Sequence, residues 1–225
     1  MKIIRLDKVD STNEYCKRLE GIADAVVVAA EQTQGKGTRG RSFVSDKGGL
    51  YVSVMRTLEG YDGADVFKIL INSCVAVCRT VEYFGLKPVI RWANDVLVDG
   101  KKICGTLIEN TLVSGGCRTI IGMGVNVNND LPEELDGIAT SFKRQLSKKI
   151  SVDKVCRVLL KNLEKEYTID DYKSYINWFS QTVTLNQNGS LQTAIALDVN
   201  ENGLLICSVD GEIKKISSAE VSLRI

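Results

Sequence analysis

Short apolar runs recur through the first half of the chain and indicate buried β-strands. The run at 25–30 is continuous, which fits a fully buried strand. Turn residues separate the later runs, and Asp99-Gly100 has the composition of a tight hairpin turn. The segments that predict strands are 2–6, 25–30, 50–55, 89–92, 102–110 and 118–127.

Helical spacing of apolar residues predicts the elements between these strands. Ser11 and Glu14 have the spacing of a capping box, which predicts that a helix begins there. Gly85 follows a long amphipathic segment and is suited to end it. The segments that predict helices elsewhere are 64–84, 132–135 and 152–179.

The pattern changes near Phe179, where short apolar runs begin to alternate with turn pairs. The runs are 183–185, 191–197 and 204–209. The turn pairs are Asn188-Gly189, Asn202-Gly203 and Asp210-Gly211. Hairpin turns at this spacing predict a small all-β barrel. We therefore expect two domains, at 1–178 and 179–225.

Charge and hydropathy exclude several classes of protein. The net charge is +1 over 225 residues, so a large electrostatic footprint for nucleic acid is not expected. The first residues lack an apolar run long enough for a signal peptide, and no apolar run is long enough to span a membrane. We expect a protein that binds neither DNA nor a membrane.

Seven cysteines and the absence of histidine narrow the chemistry. No Cys-x-x-Cys pair occurs, and Cys74 and Cys78 fit core packing better than ligation, so structural zinc is disfavoured. Free thiols indicate a reducing cytoplasm. Without histidine, Ser-His-Asp and Cys-His catalysis are excluded, and acid–base work falls to carboxylates, lysine or the substrate.

The segment 35–41, Gly-Lys-Gly-Thr-Arg-Gly-Arg, holds three glycines and three cations and is called the glycine–cation loop below. Glycines let the backbone approach an anion, and cations beside them point to phosphate or carboxylate. The spacing matches a dinucleotide fingerprint, but a strand rather than a helix is predicted next. The segment also lacks the Gly-Lys-Ser/Thr that a Walker loop requires. A solvated surface loop is the alternative.

Three later clusters carry candidate chemistry, each with an ordinary structural alternative. Asn94-Asp95 ends a predicted strand, where a turn would also favour these residues. Lys102 follows the hairpin turn, where an exposed lysine is common. Gly122 and Gly124 interrupt an apolar strand, which indicates a bulge or a ligand pressed against the backbone.

Together the clusters resemble the motifs of the biotin–protein ligases, in the same order along the chain. The clusters are Ser11-Thr12-Asn13, the glycine–cation loop, Arg91-Trp92-Ala93-Asn94-Asp95, 102–109 and 122–128. The resemblance implies an α+β fold, with a mixed β-sheet and packed helices like those of class II synthetases. It also implies that the β domain, ending in Ser218-Ala219-Glu220-Val221, is the family's SH3-like barrel.

The resemblance further implies a two-step reaction in which biotin and ATP form biotinyl-AMP, and a lysine of a carrier domain then takes the biotin. Lys102 and Asp95 are the implied catalytic residues. The residues implied to bind biotin are Ser11, Thr12, Asn13, Gln32, Lys36, Gly37, Thr38 and Lys102. Those implied to bind ATP are Arg39, Arg41, Phe43, Asn94 and Asn126. Magnesium is expected with ATP, without a named protein ligand.

Two positions depart from the family's motifs. Thr38 replaces an arginine that helps close the loop over the adenylate, so we expect weaker retention of biotinyl-AMP, with compensation from Arg39. Ala93 replaces a proline that stiffens a turn, and we expect little chemical consequence. Because Ser11 already belongs to the first motif, we expect a short form without an N-terminal DNA-binding domain.

Two alternatives stay open at this point. A lipoate- or octanoate-protein ligase has the same fold but usually a different motif, often with histidine. A non-catalytic binding scaffold would not need Lys102 and Asp95. The expected partner is the biotin carboxyl carrier domain of a biotin-dependent carboxylase, and a homodimer is an open expectation by analogy.

Overall fold

The structure is a computed structural model that describes residues 2–60, 65–113, 115–187, 189–218 and 222–224. Four predicted features fall wholly or partly outside these residues. They are the helix start at Ala64, the turn residues Ser114 and Asn188, and the segment 219–221.

A seven-stranded mixed sheet organises the larger part of the chain. Its strand order is β1-β2-β3-β7-β6-β5-β4; β1 and β2 are parallel and all other neighbours are antiparallel. The strands are β1 Lys2–Leu6, β2 Ala25–Ala29, β3 Leu50–Glu59, β4 Pro88–Arg91, β5 Asp95–Val98, β6 Lys101–Val113 and β7 Gly116–Val125. Every residue of β2 is buried, as its continuous apolar run predicts.

Five α-helices and two 3₁₀ turns accompany the sheet in the described part of the chain. The helices are α1 Thr12–Lys17, α2 Asp65–Tyr83, α3 Phe142–Leu146, α4 Val152–Leu163 and α5 Ile169–Ser174. The 3₁₀ turns are Thr38–Gly40 and Glu133–Leu135. The helical pattern at 152–179 is two helices, because a capping box of Thr168 and Asp171 starts α5 separately. The short α3 was not predicted.

The predicted capping box at the start of α1 is wrong. Ser11 occupies the N-cap position, but its side chain makes no capping hydrogen bond. Glu14 instead pairs with Lys17 at 2.8 Å and with Lys36 at 2.6 Å. The Ser11 hydroxyl therefore does not cap the helix and lies at the candidate site described below.

The main core lies between one face of the sheet and the helices α2, α4 and α5. A second, smaller core lies beneath α1 on the other face. All seven cysteines are buried and free, and burial raises the pKa of the Cys16 and Cys104 thiols to about 12. Cys74 and Cys78 are core residues, as predicted.

The C-terminal region forms an antiparallel sheet of five strands in the order β11-β10-β9-β8-β12. The strands are β8 Thr182–Gln187, β9 Ser190–Val199, β10 Leu205–Val209, β11 Glu212–Ile216 and β12 Ser222–Arg224. Gly189, Gly203 and Gly211 have φ of 90°, 80° and 84°, so each supplies the left-handed backbone of a hairpin turn. The predicted α+β fold is confirmed, whereas the domain boundary at residue 178 stays a prediction.

Within the described residues, no helix is both long and apolar enough to cross a membrane.

Candidate functional site

A cavity of about 290 Å³ opens above the sheet on the face that carries α1. It brings together all the predicted site residues except Arg39. Those residues are Ser11, Thr12, Asn13, Gln32, Lys36, Gly37, Thr38, Arg41, Phe43, Asn94, Asp95, Lys102 and Asn126. Segments distant in sequence therefore converge on one site.

Three glycines on two adjacent strands form the floor of this cavity. Gly122 and Gly124 lie on β7, and Gly105 on β6 pairs directly with Gly124. A Cβ on Gly122 would lie 2.3 Å from Asn13 Oδ1, and one on Gly124 would lie 2.6 Å from the Phe43 ring. The register of β7 is continuous here, so the predicted bulge is absent. These glycines are required by the close approach of side chains to the strands.

Lys102 crosses this floor and pairs with Asp95. Its Nζ lies 2.6 Å from Asp95 Oδ1, and a Cβ on Gly105 would come within 2.7 Å of the same nitrogen. Arg91 holds the other carboxylate oxygen at 2.7 Å. Burial alone would raise the pKa of Asp95, but the two cations outweigh it and lower the pKa below its ordinary value. The carboxylate is therefore a stable anion between two cations.

Two backbone contacts fix the position of Lys102. Its N–H donates to Ile138 O at 2.8 Å, and its carbonyl accepts from Thr140 N at 2.9 Å. The prediction that Asp95 lies at the end of a strand is wrong. Asp95 begins β5, directly after the turn at 92–94. Both charged groups are thus held by regular backbone structure rather than by a flexible hairpin.

A cluster of polar side chains at the opposite part of the cavity is called the polar wall: Thr12, Asn13 and Gln32 line the cavity, and Ser45 and Ser53 are buried behind them. Thr12 donates its N–H to Gln32 Oε1 at 2.8 Å, and Gln32 Nε2 donates to Ser45 Oγ at 2.9 Å. Ser53 Oγ lies 2.5 Å from Asn13 Oδ1 and 2.7 Å from Thr12 Oγ1. This wall is rich in both donors and acceptors.

The two asparagines predicted to bind nucleotide are also held by hydrogen bonds, Asn94 to the backbone and Asn126 to a neighbouring side chain. Asn94 Nδ2 donates to Thr106 O at 2.5 Å, while Thr106 N donates to Asn94 O at 3.0 Å. Asn126 Oδ1 accepts from Asn129 Nδ2 at 3.1 Å. Each side chain is therefore already oriented at the cavity before any ligand is present.

The cations of the glycine–cation loop make different contacts. Lys36 pairs with Glu14 at 2.6 Å, and Arg41 donates to Thr38 Oγ1 at 3.0 Å. Arg39, whose φ is 60°, points away from the cavity, and its guanidinium donates to Ser218 O. Its position gives no support to the predicted role in ATP binding, and that role stays a prediction. The loop is joined to the C-terminal region through this contact.

Several cavity residues had no predicted role. Arg91 was part of a motif but had no assigned role, and its pairing with Asp95 depends on the tight turn between them. Ser53, which is buried behind the cavity lining against Thr12 and Asn13, gave one available signal, since it is a polar residue inside an apolar strand. The apolar residues that line the cavity from the segment after β7 had no predicted role at the site. They are Leu131, Leu135, Ile138 and Ala139.

The arrangement suits a ligand that has a polar head, an apolar body and an anionic group. The polar wall offers hydrogen bonds, the apolar residues offer contact area, and Lys102, Arg91 and Arg41 offer positive charge. Asp95 is the sole carboxylate among the described residues that line the cavity. Within the described part of the chain, no group of three or more Cys, Asp or Glu side chains could hold a metal ion.

Comparison with known sequences places the chain among the biotin and lipoate protein ligases. The model of the Biotin/lipoate A/B protein ligase family matches residues 6–128. The bifunctional ligase/repressor BirA of Bacillus subtilis is 32% identical over 216 residues, which cover 88% of this chain and 66% of the relative. A biotin–[acetyl-CoA-carboxylase] ligase of Paracoccus denitrificans is 34% identical over 131 residues, covering 54% of this chain and 53% of the relative.

A solved structure extends the likeness to the whole chain. The biotin protein ligase of Aquifex aeolicus, in complex with biotin and ATP, superposes with a TM-score of 0.84 at 28% identity, covering 99% of this chain and 98% of its own. The chain spans about two thirds of the length of the Bacillus relative and nearly all of the Aquifex one. This protein belongs to the biotin/lipoate A/B protein ligase family.

Proposed function

We propose that this protein is an ATP-dependent biotin–protein ligase, a biotin–[acetyl-CoA carboxylase] ligase. It activates biotin as biotinyl-AMP and transfers the biotinyl group to one lysine of a biotin carboxyl carrier domain. The observation that carries the proposal is one cavity in which a wall of donors and acceptors faces a lysine fixed on the strand floor. The Aquifex neighbour, solved with biotin and ATP, supports both substrates.

In the first step, a carboxylate oxygen of biotin attacks the α-phosphorus of ATP, and the bond to pyrophosphate breaks. Two anions must approach, so a fixed cation between them lowers the barrier. Lys102 is suited to this task, because Asp95 and the backbone of β6 hold it above Gly105. A unit charge at contact contributes about 4 kcal/mol in a partly screened site. This favours Lys102 as the residue that stabilises charge on the α-phosphate.

The substrates would occupy the two sides of the cavity. The ureido ring of biotin needs donors and acceptors, which Thr12, Asn13 and Gln32 supply, with Ser11 at the end of the wall. The nucleotide would lie toward Asn94, Asn126 and Phe43, whose ring is 5.6 Å from Lys102 Nζ. The loop residues Lys36, Gly37, Thr38 and Arg41 would then cover the ligands.

In the second step, the carrier lysine amine attacks the acyl carbon, the bond to AMP breaks, and the amine loses a proton. Asp95 could orient the amine or take its proton. A lysine amine has a pKa of about 10.4, more than about six units above that of an ordinary aspartate. Because its neighbours lower the pKa of Asp95 further, the orienting role is favoured over that of a base.

Magnesium would come to the site with the triphosphate. The single carboxylate of the described cavity lining is committed to Lys102 and Arg91, so these residues do not form a magnesium cage. When bound, the ion would neutralise phosphate charge. The chain's own contribution is the cation set that surrounds the phosphates.

The partner, location and assembly rest on the same proposal. The acceptor is a carrier domain of a biotin-dependent carboxylase. The absence of DNA and membrane partners, the cytoplasmic setting and the homodimer stay predictions.

The proposal is tested by incubating the purified protein with magnesium-ATP, biotin and the carrier domain of an acetyl-CoA carboxylase. Intact-mass spectrometry should detect one added biotinyl group, and a carrier whose acceptor lysine is changed to arginine should gain none. An unmodified wild-type carrier would contradict the transfer step. A lipoyl group added in a parallel reaction would favour the sister activity of the same fold.

A further inference from the structure

The turn at residues 92–94, called the β4–β5 turn, leads directly into Asp95. Two of the proposed site residues meet there: Asn94 is the last residue of the turn, and Asp95 is the first residue of β5. Trp92 and Ala93 are themselves nearly inaccessible, at 4% and 6% exposure. The backbone of this turn sets where the two side chains enter the cavity.

The C-terminal sheet holds the turn from one side. Trp92 Nε1 donates to Gly203 O at 3.0 Å, across 111 positions of sequence. Gly203 lies in the β9–β10 turn, which Asn200 braces: its Oδ1 accepts from Leu204 N at 2.9 Å, and its carbonyl accepts from Gly203 N at 2.9 Å. The acceptor carbonyl is thus fixed by its own hairpin.

Two aromatic residues on helices of the larger part of the chain contact the turn and the hairpin. Tyr172 on α5 is fully buried and donates its hydroxyl to Ala93 O at 2.8 Å. Phe67 on α2 meets the Tyr172 ring edge-on, with centroids 5.8 Å apart. Phe67 also lies so close to Gly203 that a Cβ there would be 2.5 Å from the ring. The turn, the hairpin and the two rings therefore constrain one another.

We infer that Tyr172 and Gly203 are positioning residues for the ligase reaction, acting through the β4–β5 turn on Asn94 and Asp95. The inference rests on the proposed function. Cys74 Sγ, at 3.8 Å, is a weak second donor to Ala93 O, so Tyr172 is its main partner. A shift of about 1 Å in a catalytic group can cost about a hundredfold in rate. The C-terminal sheet thereby contributes to catalysis without touching substrate.

Two substitutions and a matched control test this inference. Tyr172→Phe removes the hydroxyl and keeps the ring that meets Phe67. Gly203→Ala places a Cβ against Phe67 at a φ of 80°. Gly211→Ala introduces the same strain in the next hairpin, at a φ of 84°, but its Cβ meets no atom of the described structure within 4 Å. The control thus separates the effect of strain in a hairpin from the effect of contact with Phe67.

The first readout is kinetic. We expect Tyr172→Phe and Gly203→Ala to lower kcat for carrier biotinylation by at least about tenfold, with the KM for biotin changed by less than about twofold. The KM is preserved because the polar wall lies on α1, on β3 and in the segment between β2 and β3, away from this turn. Gly211→Ala should keep the wild-type kcat. Equal kcat in Gly203→Ala and Gly211→Ala, together with wild-type kcat in Tyr172→Phe, would overturn the inference.

The second readout does not depend on activity. The amide of Thr106 donates to Asn94 O, so its hydrogen exchange, followed by NMR, reports the position of the turn. Exchange should accelerate in Tyr172→Phe and Gly203→Ala but not in Gly211→Ala, and equal exchange in all three would contradict the inference. If the wild type forms no biotinyl-AMP while these exchange differences appear, the proposed function fails, and only the bracing of the β4–β5 turn by Tyr172 and Gly203 stands.

Discussion

The polar wall and the glycine–cation loop border the same cavity but are built in opposite ways. Thr12 and Ser53 of the wall are 4% and 0% exposed, and their hydrogen bonds run to other wall residues. Lys36 of the loop has 48% of its side chain exposed and pairs with Glu14 outside the wall. The wall is complete without a ligand, whereas the loop cations are held by surface partners.

This difference assigns distinct tasks to the two regions. Leaving a buried donor or acceptor unpaired costs about 1–3 kcal/mol, so the wall resists rearrangement and suits recognition of one shape. An exposed ion pair contributes about 0.2–1 kcal/mol, so Lys36 can exchange Glu14 for a ligand anion at little cost. We infer that the wall selects biotin and that the loop governs how long the adenylate stays.

The largest expected effect comes from replacing Lys102, which we expect to contact both biotin and ATP. Lys102→Ala should reduce biotinyl-AMP formation by at least about a hundredfold, because a fixed cation at the α-phosphate is lost. ATP–pyrophosphate exchange that depends on biotin measures this step. Lys101→Ala, which removes the neighbouring lysine outside the cavity lining, is the control. Unchanged exchange in Lys102→Ala would refute the catalytic role.

The next largest effect separates the two sides of the glycine floor. Gly122→Ala should raise the KM for biotin by about tenfold, since its Cβ displaces Asn13 of the polar wall. Gly124→Ala should instead raise the KM for ATP, since its Cβ displaces the Phe43 ring. Steady-state kinetics with each substrate varied in turn distinguishes these results. Identical effects of the two variants on both KM values would contradict separate compartments.

A smaller effect is expected in the loop. Thr38→Arg should slow release of biotinyl-AMP several-fold, because it adds a cation over the adenylate, each such contact contributing about 1 kcal/mol. Thr38→Gln adds length without charge and is the control. Release is measured by trapping free adenylate with hydroxylamine in the absence of acceptor. Slow release already in the wild type would show that Thr38 does not weaken retention.

The smallest effect concerns pH. The pKa of Asp95 is lowered in the folded protein, so the carboxylate stabilises the fold above its ordinary pKa, and that stability is lost as pH falls through the lowered value. Asp95 should therefore cause no inflection in the transfer rate between about pH 5 and about pH 8. A pH–rate profile measured with saturating carrier checks this. An inflection in that range that Asp95→Asn removes would identify Asp95 as a base.

Much of this site could be predicted from local patterns. The apolar runs marked the central strands, and the order of the motifs identified the family. The α+β fold is confirmed. The two glycines of β7 also stood out in the sequence, although they are explained by the close approach of Asn13 and Phe43 rather than by a bulge.

The rest depended on contacts between segments distant in sequence. Ser11 has the spacing of a helix cap, but Lys17 and Lys36 draw Glu14 away from that arrangement. Arg39 belongs to the loop motif, yet the C-terminal region supplies its acceptor at Ser218. The bracing of the β4–β5 turn by Gly203 spans 111 positions and leaves no signal in either local sequence.

The most direct test of the central claim is the identity of the acyl-adenylate that the protein forms. The protein is mixed with magnesium-ATP and either biotin, lipoate or octanoate, and the products are analysed by mass spectrometry. We predict biotinyl-AMP alone, because the polar wall matches the ureido ring. Lipoyl- or octanoyl-AMP in place of biotinyl-AMP, or no adenylate from any of the three acids, would contradict this account.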